Sequence, residues 1–252
     1  MKLGLIGAGN MASALARGIG EPVLVSDIDR ARALALAKQL GGEALDSNAE
    51  VAERADAVLL CHKPKQLDEV AAEVAGHTDT VVSILAATTT DSLSRAYPGA
   101  AIYRFLPNMP AEVGRGVLCY VAGPGAAEGP EEEILGLMGR VGEVIRLVDE
   151  PLIEPAMALM SCGPAFMALW AEGFADAGAA HGLERETAMR MVVETMAGTA
   201  SWLAEHGYDG ADLRRRVATP GGATERGLIA LEDGGLDRLA RSAVDTVVEG
   251  TR

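Results

Sequence analysis

The chain has 252 residues, of which 49% are hydrophobic and 4% aromatic, and its formal net charge is −14. This length suits one large domain or two ordinary ones, and the acidic balance argues against nucleic acid and anionic membrane surfaces as partners. The 3 cysteines and 4 histidines show no paired spacing, so they predict neither a disulfide framework nor a metal site.

The apolar runs of the chain are interrupted by glycine, proline or charge. We therefore expect no membrane-spanning segment. Met1 and Lys2 lead directly into an apolar run, without the basic, apolar and small-residue pattern of a signal peptide. These features predict a cytoplasmic protein that makes no contact with a membrane.

The N-terminal stretch is typical of a dinucleotide-binding turn. The apolar run Lys2–Ile6 ends in the pattern Gly7-x-Gly9-x-x-Ala12, and a helix-compatible segment follows at once. Gly7 permits a tight turn, Gly9 lets the backbone approach a pyrophosphate, and a small residue at position 12 lets helix and strand pack closely. The free N–H groups of the first helical turn, with the helix dipole, would face the phosphates.

An acidic residue stands where ribose recognition requires one. Asp27 ends the next apolar run, about twenty residues beyond the glycines, where a carboxylate binds a ribose hydroxyl. A glycine-rich turn without a ligand is the alternative, and the strand, the helix and Asp27 together make it the less favoured one. The sequence therefore predicts a nicotinamide or flavin nucleotide site, with nicotinamide favoured.

Strand-like and helical segments alternate through the first half of the chain, which predicts a parallel sheet with helices on both faces. The predicted strands are Lys2–Ile6, Val23–Ser26, Ala57–Cys61, Thr80–Leu85, Ala101–Phe105, Val117–Ala122 and Glu143–Val148. The predicted helices are Asn10–Ile19, Asp29–Leu40, Asn48–Arg54, Gln66–Val74 and Glu131–Arg140.

Residues that follow the strands are candidates for ligand contact, because ligands of such sheets bind beyond the carboxyl ends of the strands. Lys63, after the third strand, is suited to phosphate or ribose, and Pro64 stiffens its loop. Ala86 and its small neighbours after the fourth strand leave room for a flat ring. Asn108 lies between two prolines that fix the direction of its amide. A solvated lysine and a rigid turn are the plainer interpretations of positions 63 and 108.

The pattern changes in the second half of the chain, where strands disappear and long helical periods begin. We expect the domain boundary near Asp149–Pro155, with a Rossmann-like domain over residues 1–150 and an all-α domain over residues 151–252. The helix predicted within Glu186–Leu203 is apolar on nearly all sides, and a domain of about a hundred residues cannot easily cover such a helix alone. A second subunit is the expected cover, so the all-α domain is predicted to dimerise.

A glycine-rich loop, Thr219-Pro-Gly-Gly-Ala-Thr224, interrupts the helical half. The backbone N–H groups of a Gly-Gly turn form a concave set of donors that suits a carboxylate. An ordinary connection between two helices explains the same composition equally well. From the residues alone, both interpretations stay open.

Four motifs taken together resemble the pyrroline-5-carboxylate reductase family, whose members perform the last step of proline biosynthesis. They are Leu106-Pro-Asn-Met-Pro110, Met160-Ser-Cys-Gly-Pro-Ala-Phe166, Asp176-Ala-Gly178 with Gly182-Leu183, and Pro220-Gly-Gly-Ala-Thr224. The similarity runs through both predicted domains, with the motifs in the family's order. It implies a Rossmann-like domain followed by an all-α domain, a dimer with interlocked helical domains, and higher assembly as a common feature.

The resemblance also implies an activity and a set of site residues. NADPH or NADH would pass a hydride to the imine carbon of 1-pyrroline-5-carboxylate, which gives L-proline. The substrate's carboxylate and ring would lie against Gly222, Ala223 and Thr224, partly across the dimer interface, and Thr224 is the candidate for a hydrogen bond near the imine nitrogen. Capping of a helix N-terminus is the alternative role of Thr224. The implied cofactor contacts are Gly7, Gly9, Asn10, Met11, Ser26, Asp27, Asn48, Lys63, Pro64, Ala86 and Asn108.

The chain departs from the family pattern at several positions. Three residues that usually carry hydroxyls are Met157, Met160 and Cys162, and Arg215 stands where an acidic residue is common. The usual Ala-Gly-Ile is replaced by Ala86-Ala87-Thr88. Two alternatives therefore stay open beside the proline-forming reductase: a reductase of another small cyclic imine, and a relative that binds the nucleotide as a sensor without turnover.

The choice between NADH and NADPH is also open at this point. A carboxylate at Asp27 would repel the 2′-phosphate of NADPH, which favours NADH. The neighbouring Ser26, Arg30 and Arg32 offer donors that suit a phosphate.

Overall fold

The structure, a computed structural model, describes residues 1–250. It divides into two compact units, Met1–Ser161 and the chain from Cys162 onward. The division falls somewhat later than the sequence-based limit at residue 150, with a helical segment between the two positions.

Strands occur only in the first unit within the described part of the chain. They are β1 (Leu3–Ile6), β2 (Leu24–Ser26), β3 (Glu43–Ala44), β4 (Ala57–Leu60), β5 (Thr80–Ser83), β6 (Ala101–Pro107), β7 (Gly116–Ala122) and β8 (Gly142–Arg146). They form one sheet in the order β3-β2-β1-β4-β5-β6-β7-β8. The chain runs outward from β1 to β3 and then crosses to β4 on the other side of β1, so the switch point of the topology lies between β1 and β4.

Helices surround the sheet in the first unit and make up the second. The first unit contains α1 (Asn10–Ile19), α2 (Arg30–Leu40), α3 (Asn48–Arg54), α4 (Leu67–Val74), α5 (Thr90–Ala96), α6 (Glu131–Met138) and α7 (Ile153–Ala156), with a π-helical turn at Met157–Ser161. The second contains α8 (Gly163–Ala180), α9 (Arg185–Glu205), α10 (Gly210–Val217), α11 (Ala223–Asp233) and α12 (Leu236–Gly250). Short 3₁₀ turns lie at Pro64–Gln66, Met109–Val113, Ala126–Glu128 and Glu150–Leu152.

The seven predicted strands are confirmed, with one correction to their arrangement. All neighbouring strands run parallel except β6 and β7, which are antiparallel. The connection between these two strands is the short turn Met109–Val113, and a parallel crossover needs a dozen or more residues. The predicted parallel sheet is therefore confirmed except at this one pair of strands.

The core of the first unit lies on both faces of the sheet. Leu5 and Leu59 belong to one buried cluster, whereas Ile6 and Leu60 belong to the other. This alternation follows from the two-residue period of a strand. Because both faces are covered, the central strands are continuous apolar runs, which is why the sequence predicted them.

The second unit buries few of its side chains within one chain. Only Gly163, Ala171 and Ala175 are buried on α8, and only Ala188 is buried on α9. Large apolar side chains on both helices are exposed, among them Met167, Leu169, Trp170, Phe174, Met191 and Val193. The apolar character predicted for this half is thus present, and the described chain alone leaves much of it uncovered.

One helical stretch, Glu150–Ala180, is long and apolar enough to cross a membrane by length and composition alone. Only 22% of its most apolar window is buried within the chain. The glycine and proline residues that interrupt this stretch therefore do not lower its mean hydropathy below that of a membrane span. Pro164 lies in the first turn of α8, where its missing N–H leaves no helical hydrogen bond unmade.

Candidate functional site

A cavity of about 750 Å³ lies where β1, β2 and β4 end. This is the switch point of the sheet, where doubly wound folds bind their ligands. Eight of the residues predicted to contact a cofactor line it: Gly7, Gly9, Asn10, Met11, Ser26, Asp27, Asn48 and Lys63. Residues that are far apart in the chain, from four separate segments, thus line one cavity.

The glycine turn shapes the floor of this cavity. Gly7 has a φ of +105°, and a Cβ there would lie 2.9 Å from the carbonyl carbon of Cys61, so a side chain is excluded. A Cβ at Gly9 would meet nothing within 4 Å, which leaves the backbone open to a ligand. Gly9 is the N-cap residue of α1 and provides no side-chain cap. The first N–H groups of α1 can therefore serve an anion.

Asp27 is held in a fixed position at the end of β2. Its Oδ2 accepts a hydrogen bond from the Ala8 N–H at 2.6 Å, and its Oδ1 accepts one from the Asp29 N–H at 2.7 Å. A carboxylate has about four lone-pair sites, so each oxygen keeps capacity for one more donor. The carboxylate thus connects β2 to the glycine turn and can still accept hydrogen bonds from hydroxyl groups.

A chain of hydrogen bonds runs along the wall next to β2. The Ser26 Oγ donates to Asn48 Oδ1 at 2.6 Å, and Asn48 Nδ2 donates to Glu73 Oε2 at 2.9 Å. Glu73 lines the cavity together with Asp46 and Glu69. Sequence reasoning missed these three acids because they belong to no motif. Glu69 and Glu73 reach the cavity through the packing of α4, and Asp46 reaches it from the loop before α3.

His62 is a second cavity residue that the sequence did not single out. Its Nδ1 donates to the Lys63 carbonyl at 2.9 Å, so in the neutral ring Nε2 is the acceptor. Nε2 is buried and has no hydrogen-bond partner within the described residues. Burial lowers the pKa of His62, against the smaller effect of the hydrogen bond to Lys63. The imidazole is therefore neutral at pH 7.

Three of the predicted cofactor contacts do not line the cavity. Pro64 begins a 3₁₀ turn and Ala86 lies in the exposed loop after β5. The side chain of Asn108 is buried: Nδ2 donates to the Met160 carbonyl at 2.8 Å, and Oδ1 accepts from the Val117 N–H at 2.9 Å. The amide of Asn108 thus holds the π-helical turn and β7 together.

The predicted substrate residues lie in the second unit, at the start of α11. Gly222 is the N-cap residue of this helix and no side chain caps it. Thr224 is exposed in the first turn and does not cap the helix, so its alternative role is wrong. The preceding loop is held by Glu225 and Arg226, since Gly221 N–H donates to Glu225 Oε2 at 2.7 Å and Arg226 Nη1 donates to the Gly221 carbonyl at 2.7 Å.

The three arginines before this loop are paired with acids. Arg216 Nε donates to Asp212 Oδ2 at 2.6 Å, and Arg215 Nη2 donates to Asp212 Oδ1 at 3.2 Å. Arg214 lies 4.0 Å from Glu232. All three arginine side chains are more than half exposed, which is the ordinary arrangement of a solvated helix face.

Metal and thiol chemistry have little support in the described residues. Across residues 1–250, no group of three or more His, Cys, Asp or Glu side chains is arranged to hold a metal ion. The cysteines are free, and burial raises the pKa of the Cys61 thiol far above its usual value. Cys61 therefore lines the cavity as a small neutral side chain.

Two family models match the chain in the two units. A model described as pyrroline-5-carboxylate reductase dimerisation matches residues 150–252, and one described as NADP oxidoreductase, coenzyme F420-dependent, matches residues 2–87. The chain is 34% identical to a pyrroline-5-carboxylate reductase of Synechocystis, over 97% of this chain and 93% of that protein. It is 31% identical to one of Pseudomonas aeruginosa, again over 97% of this chain and 93% of the relative.

Solved structures give the same relationship. The fold superimposes on a pyrroline-5-carboxylate reductase from Coxiella burnetii with a TM-score of 0.91 and 28% identity, covering 99% of this chain and 97% of that one. A pyrroline carboxylate reductase from Plasmodium falciparum with NADP bound has a TM-score of 0.85 and 25% identity, covering 100% and 97% of the two chains.

Proposed function

The chain belongs to the pyrroline-5-carboxylate reductase family, and we propose that it reduces 1-pyrroline-5-carboxylate to L-proline with NAD(P)H. Relatives with this name match nearly the whole chain, through both units. The observation that carries the proposal is the cavity at the ends of β1, β2 and β4, where eight of the predicted cofactor residues meet. A glycine turn, a helix N-terminus and an acidic residue are present there together, as a dinucleotide requires.

The residues of the cavity fit a dinucleotide. The open space above Gly9 and the N-terminus of α1 suit the pyrophosphate, and the spare acceptor capacity of Asp27 suits ribose hydroxyls. Lys63 adds a positive charge on the opposite side, after β4. When bound, the cofactor supplies the hydride; the protein's part is to bind and orient it and to exclude water.

The substrate would be held by the start of α11. The first-turn N–H groups at Gly222, Ala223 and Thr224 suit the substrate's carboxylate, because a helix N-terminus favours an anion. The hydroxyl of Thr224 is proposed to hydrogen-bond near the imine nitrogen and so to orient the ring for hydride transfer. The carbon is most electrophilic when that nitrogen is protonated, so the reaction needs orientation and a proton rather than a protein nucleophile.

Three of the departures from the family pattern, at Met157, Met160 and Cys162, lie in the segment that precedes α8. Met160 is buried in the π-helical turn, and its backbone carbonyl accepts the hydrogen bond of Asn108. The backbone of this turn is thus tied down without the hydroxyls that the family usually has. The proposed reduction of 1-pyrroline-5-carboxylate is therefore still supported. Another small cyclic imine is the main alternative substrate.

The helical unit is proposed to be covered by a second copy of the chain. The dimerisation model spans residues 150–252, and it includes the long apolar stretch Glu150–Ala180. A protein partner explains the exposed apolar side chains of this stretch without a membrane. We therefore propose a cytoplasmic homodimer, in which residues 150–252 form the dimerising part, and further assembly of dimers is compatible with it.

One assay tests the proposed function. The purified protein is given 1-pyrroline-5-carboxylate with NADH or NADPH, and both cofactor oxidation and proline formation are followed. We expect proline to form in step with cofactor oxidation. Absence of turnover with both cofactors contradicts the proposal, and nucleotide binding without turnover would favour the sensing alternative.

Two substitutions at Thr224 test the substrate site in the same assay. Thr224→Ala removes the proposed hydrogen bond and is expected to lower kcat/KM about tenfold or more, whereas Thr224→Ser should keep most of the activity. Thr246→Ala is the matched control, because the Thr246 hydroxyl donates to the Ser242 carbonyl within its own helix, at 2.8 Å. Full activity of Thr224→Ala would contradict the role given to this hydroxyl.

A further inference from the structure

We propose that this chain prefers NADH to NADPH. A carboxylate lies where the 2′-phosphate of NADPH would bind, and other carboxylates already pair with the arginines that could bind that phosphate. This inference rests on the proposed function, which requires a nicotinamide cofactor without stating which one. Three observations in the first unit carry it: the position of Asp27, the pairing of two arginines, and the charge of the adjoining wall.

Asp27 stands where the adenosine ribose is bound in doubly wound folds, at the end of β2. Its oxygens accept from Ala8 and Asp29 N–H groups, which fixes the carboxylate, and its remaining lone pairs can accept from ribose hydroxyls. A 2′-phosphate has no such donor when ionised and carries a charge of about −2. The fixed carboxylate of Asp27 would therefore repel the 2′-phosphate.

The two arginines nearest to Asp27 in the chain are both engaged by acids. Arg30 forms an ion pair with Asp46, and Arg32 Nε lies 3.3 Å from Asp29 Oδ2. Both arginines are the natural candidates for a 2′-phosphate, since a guanidinium recognises phosphate through paired N–H donors. Here a phosphate must compete with a carboxylate for each of them.

The other residues that line the cavity near Asp27 add negative charge, and the nearby hydroxyl of Ser26 is already engaged as a donor. Glu69 and Glu73 from α4 line the same cavity as Asp46. The Ser26 hydroxyl donates to Asn48, so it is not free to donate to a phosphate.

Lys63 does not offset this charge. It follows β4, which lies on the other side of β1 from β2. Because the adenosine ribose binds at the β2 side, Lys63 is placed for the phosphates or ribose farther along the dinucleotide. The corner beside Asp27 therefore favours two hydroxyls over a phosphate.

Direct binding tests the preference without any turnover. The dissociation constants of NADH and NADPH are measured for the full-length protein by titration calorimetry, without substrate, at low and at high salt. We expect NADH to bind about tenfold or more tightly, and the ratio to shrink at high salt because the repulsion is screened. Equal affinities, or tighter binding of NADPH, would overturn the inference.

Two variants separate local from general charge. Asp46→Asn releases Arg30 and is expected to tighten NADPH binding several-fold more than it changes NADH binding. Asp27→Ser removes the fixed carboxylate and should also lower the ratio of the NADPH to the NADH dissociation constant. Glu143→Gln makes the same change of charge on β8, at the opposite edge of the sheet. If Glu143→Gln tightens NADPH binding as much as Asp46→Asn, the local pairing is not the cause and the inference fails.

The binding data also distinguish failure of this inference from failure of the proposed function. Preferential binding of NADH without reduction of 1-pyrroline-5-carboxylate would remove the function and keep the preference. Reduction of that substrate with NADPH bound as tightly as NADH would remove the preference and keep the function.

Discussion

Ala87 has a left-handed backbone conformation, with a φ of +53°. Among the described residues, only Tyr208 is another non-glycine residue with positive φ. A Cβ in this region is crowded by the backbone and costs roughly 1 kcal/mol. The family pattern named in the sequence analysis usually has Ala-Gly-Ile where this chain has Ala86-Ala87-Thr88.

We expect Ala87→Gly to leave the free energy of unfolding unchanged or to raise it by up to about 0.5 kcal/mol, because the relief of roughly 1 kcal/mol of strain offsets the added backbone entropy of the unfolded chain. Urea unfolding at a fixed protein concentration measures the change. Ala86→Gly is the matched control, since position 86 has no positive φ; there we expect only the entropic loss, about 0.5–1 kcal/mol. Destabilisation of equal size at both positions would show that Ala87 is not strained.

The candidate site residues differ in how far their positions in the structure could be predicted from the sequence. Gly7 and Asp27 were predictable because the requirement for each is local: a turn, and the end of a strand. Asp46, in the loop before α3, and Glu73, on α4, reach the same cavity only through tertiary packing, which leaves no trace in a short pattern. Asn108 is the opposite case. The sequence predicted that its amide has a fixed direction, but the amide bonds to backbone groups of this chain and does not line the cavity.

At the scale of elements, one ion pair joins three segments of the first unit. Glu150, in the 3₁₀ turn before α7, accepts hydrogen bonds from Arg104 Nη1 on β6 at 2.6 Å and from Thr90 N and Oγ1, at the start of α5, both at 2.8 Å. Burial acts to raise the pKa of Glu150, but these hydrogen bonds together outweigh it and the pKa is lowered. The charged form is therefore the one that holds the turn to the sheet.

We expect Glu150→Gln to lower the free energy of unfolding at pH 7 by about 1.5–3 kcal/mol, the usual size for a hydrogen-bonded charge that is largely shielded from water. Because the folded pKa is lowered, the stabilisation is complete above the unfolded value, about 4.3, and is lost as the pH falls through the folded value. Urea unfolding of both proteins at several pH values measures this, and the difference between them should shrink below about pH 4.

An exposed ion pair of the same length provides the control for that experiment. Glu21 Oε1 lies 2.6 Å from Arg140 Nη1, with both side chains about half exposed. Glu21→Gln should cost less than about 1 kcal/mol. If Glu150→Gln costs no more than this control, the network does not hold the three segments together.

The elements themselves were predictable where burial imposes a pattern. Central strands such as β4 are covered on both faces and so appear as apolar runs. The two residues of β3 and the mixed residues of α5, Thr90–Ala96, carry no such pattern and were missed. The antiparallel direction of β7 depends on the length of a connection, which the apolar pattern does not contain.

At the scale of the whole molecule, the two units differ in how well a single chain covers them. The first buries its apolar strands on both faces, whereas α8 and α9 expose large apolar side chains. Exposed large apolar side chains in this number are typical of an interface. The sequence predicted this need for a partner from the distribution of apolar residues around the helix, because that property does not depend on knowing the partner's structure.

Leu169 on α8 allows a direct test of this interface. Its side chain is 69% exposed in the single chain, so Leu169→Glu should be harmless to a monomer. In a symmetric dimer the carboxylate enters the interface twice, and burying it without a partner costs several kcal/mol. We expect the dimer's dissociation constant to rise about a hundredfold or more, measured by light scattering over a concentration series.

Val148→Glu is the control for this substitution, because Val148 is 86% exposed in the first unit and should remain so in the dimer. It adds the same charge to a chain that is already strongly acidic, so any general effect of charge on association appears in both variants. A wild-type protein that is monomeric at micromolar concentration, or equal weakening by both variants, would contradict the assignment of α8 to the interface. If only Leu169→Glu weakens the dimer, the exposed apolar side chains of α8 contact a second copy of the chain.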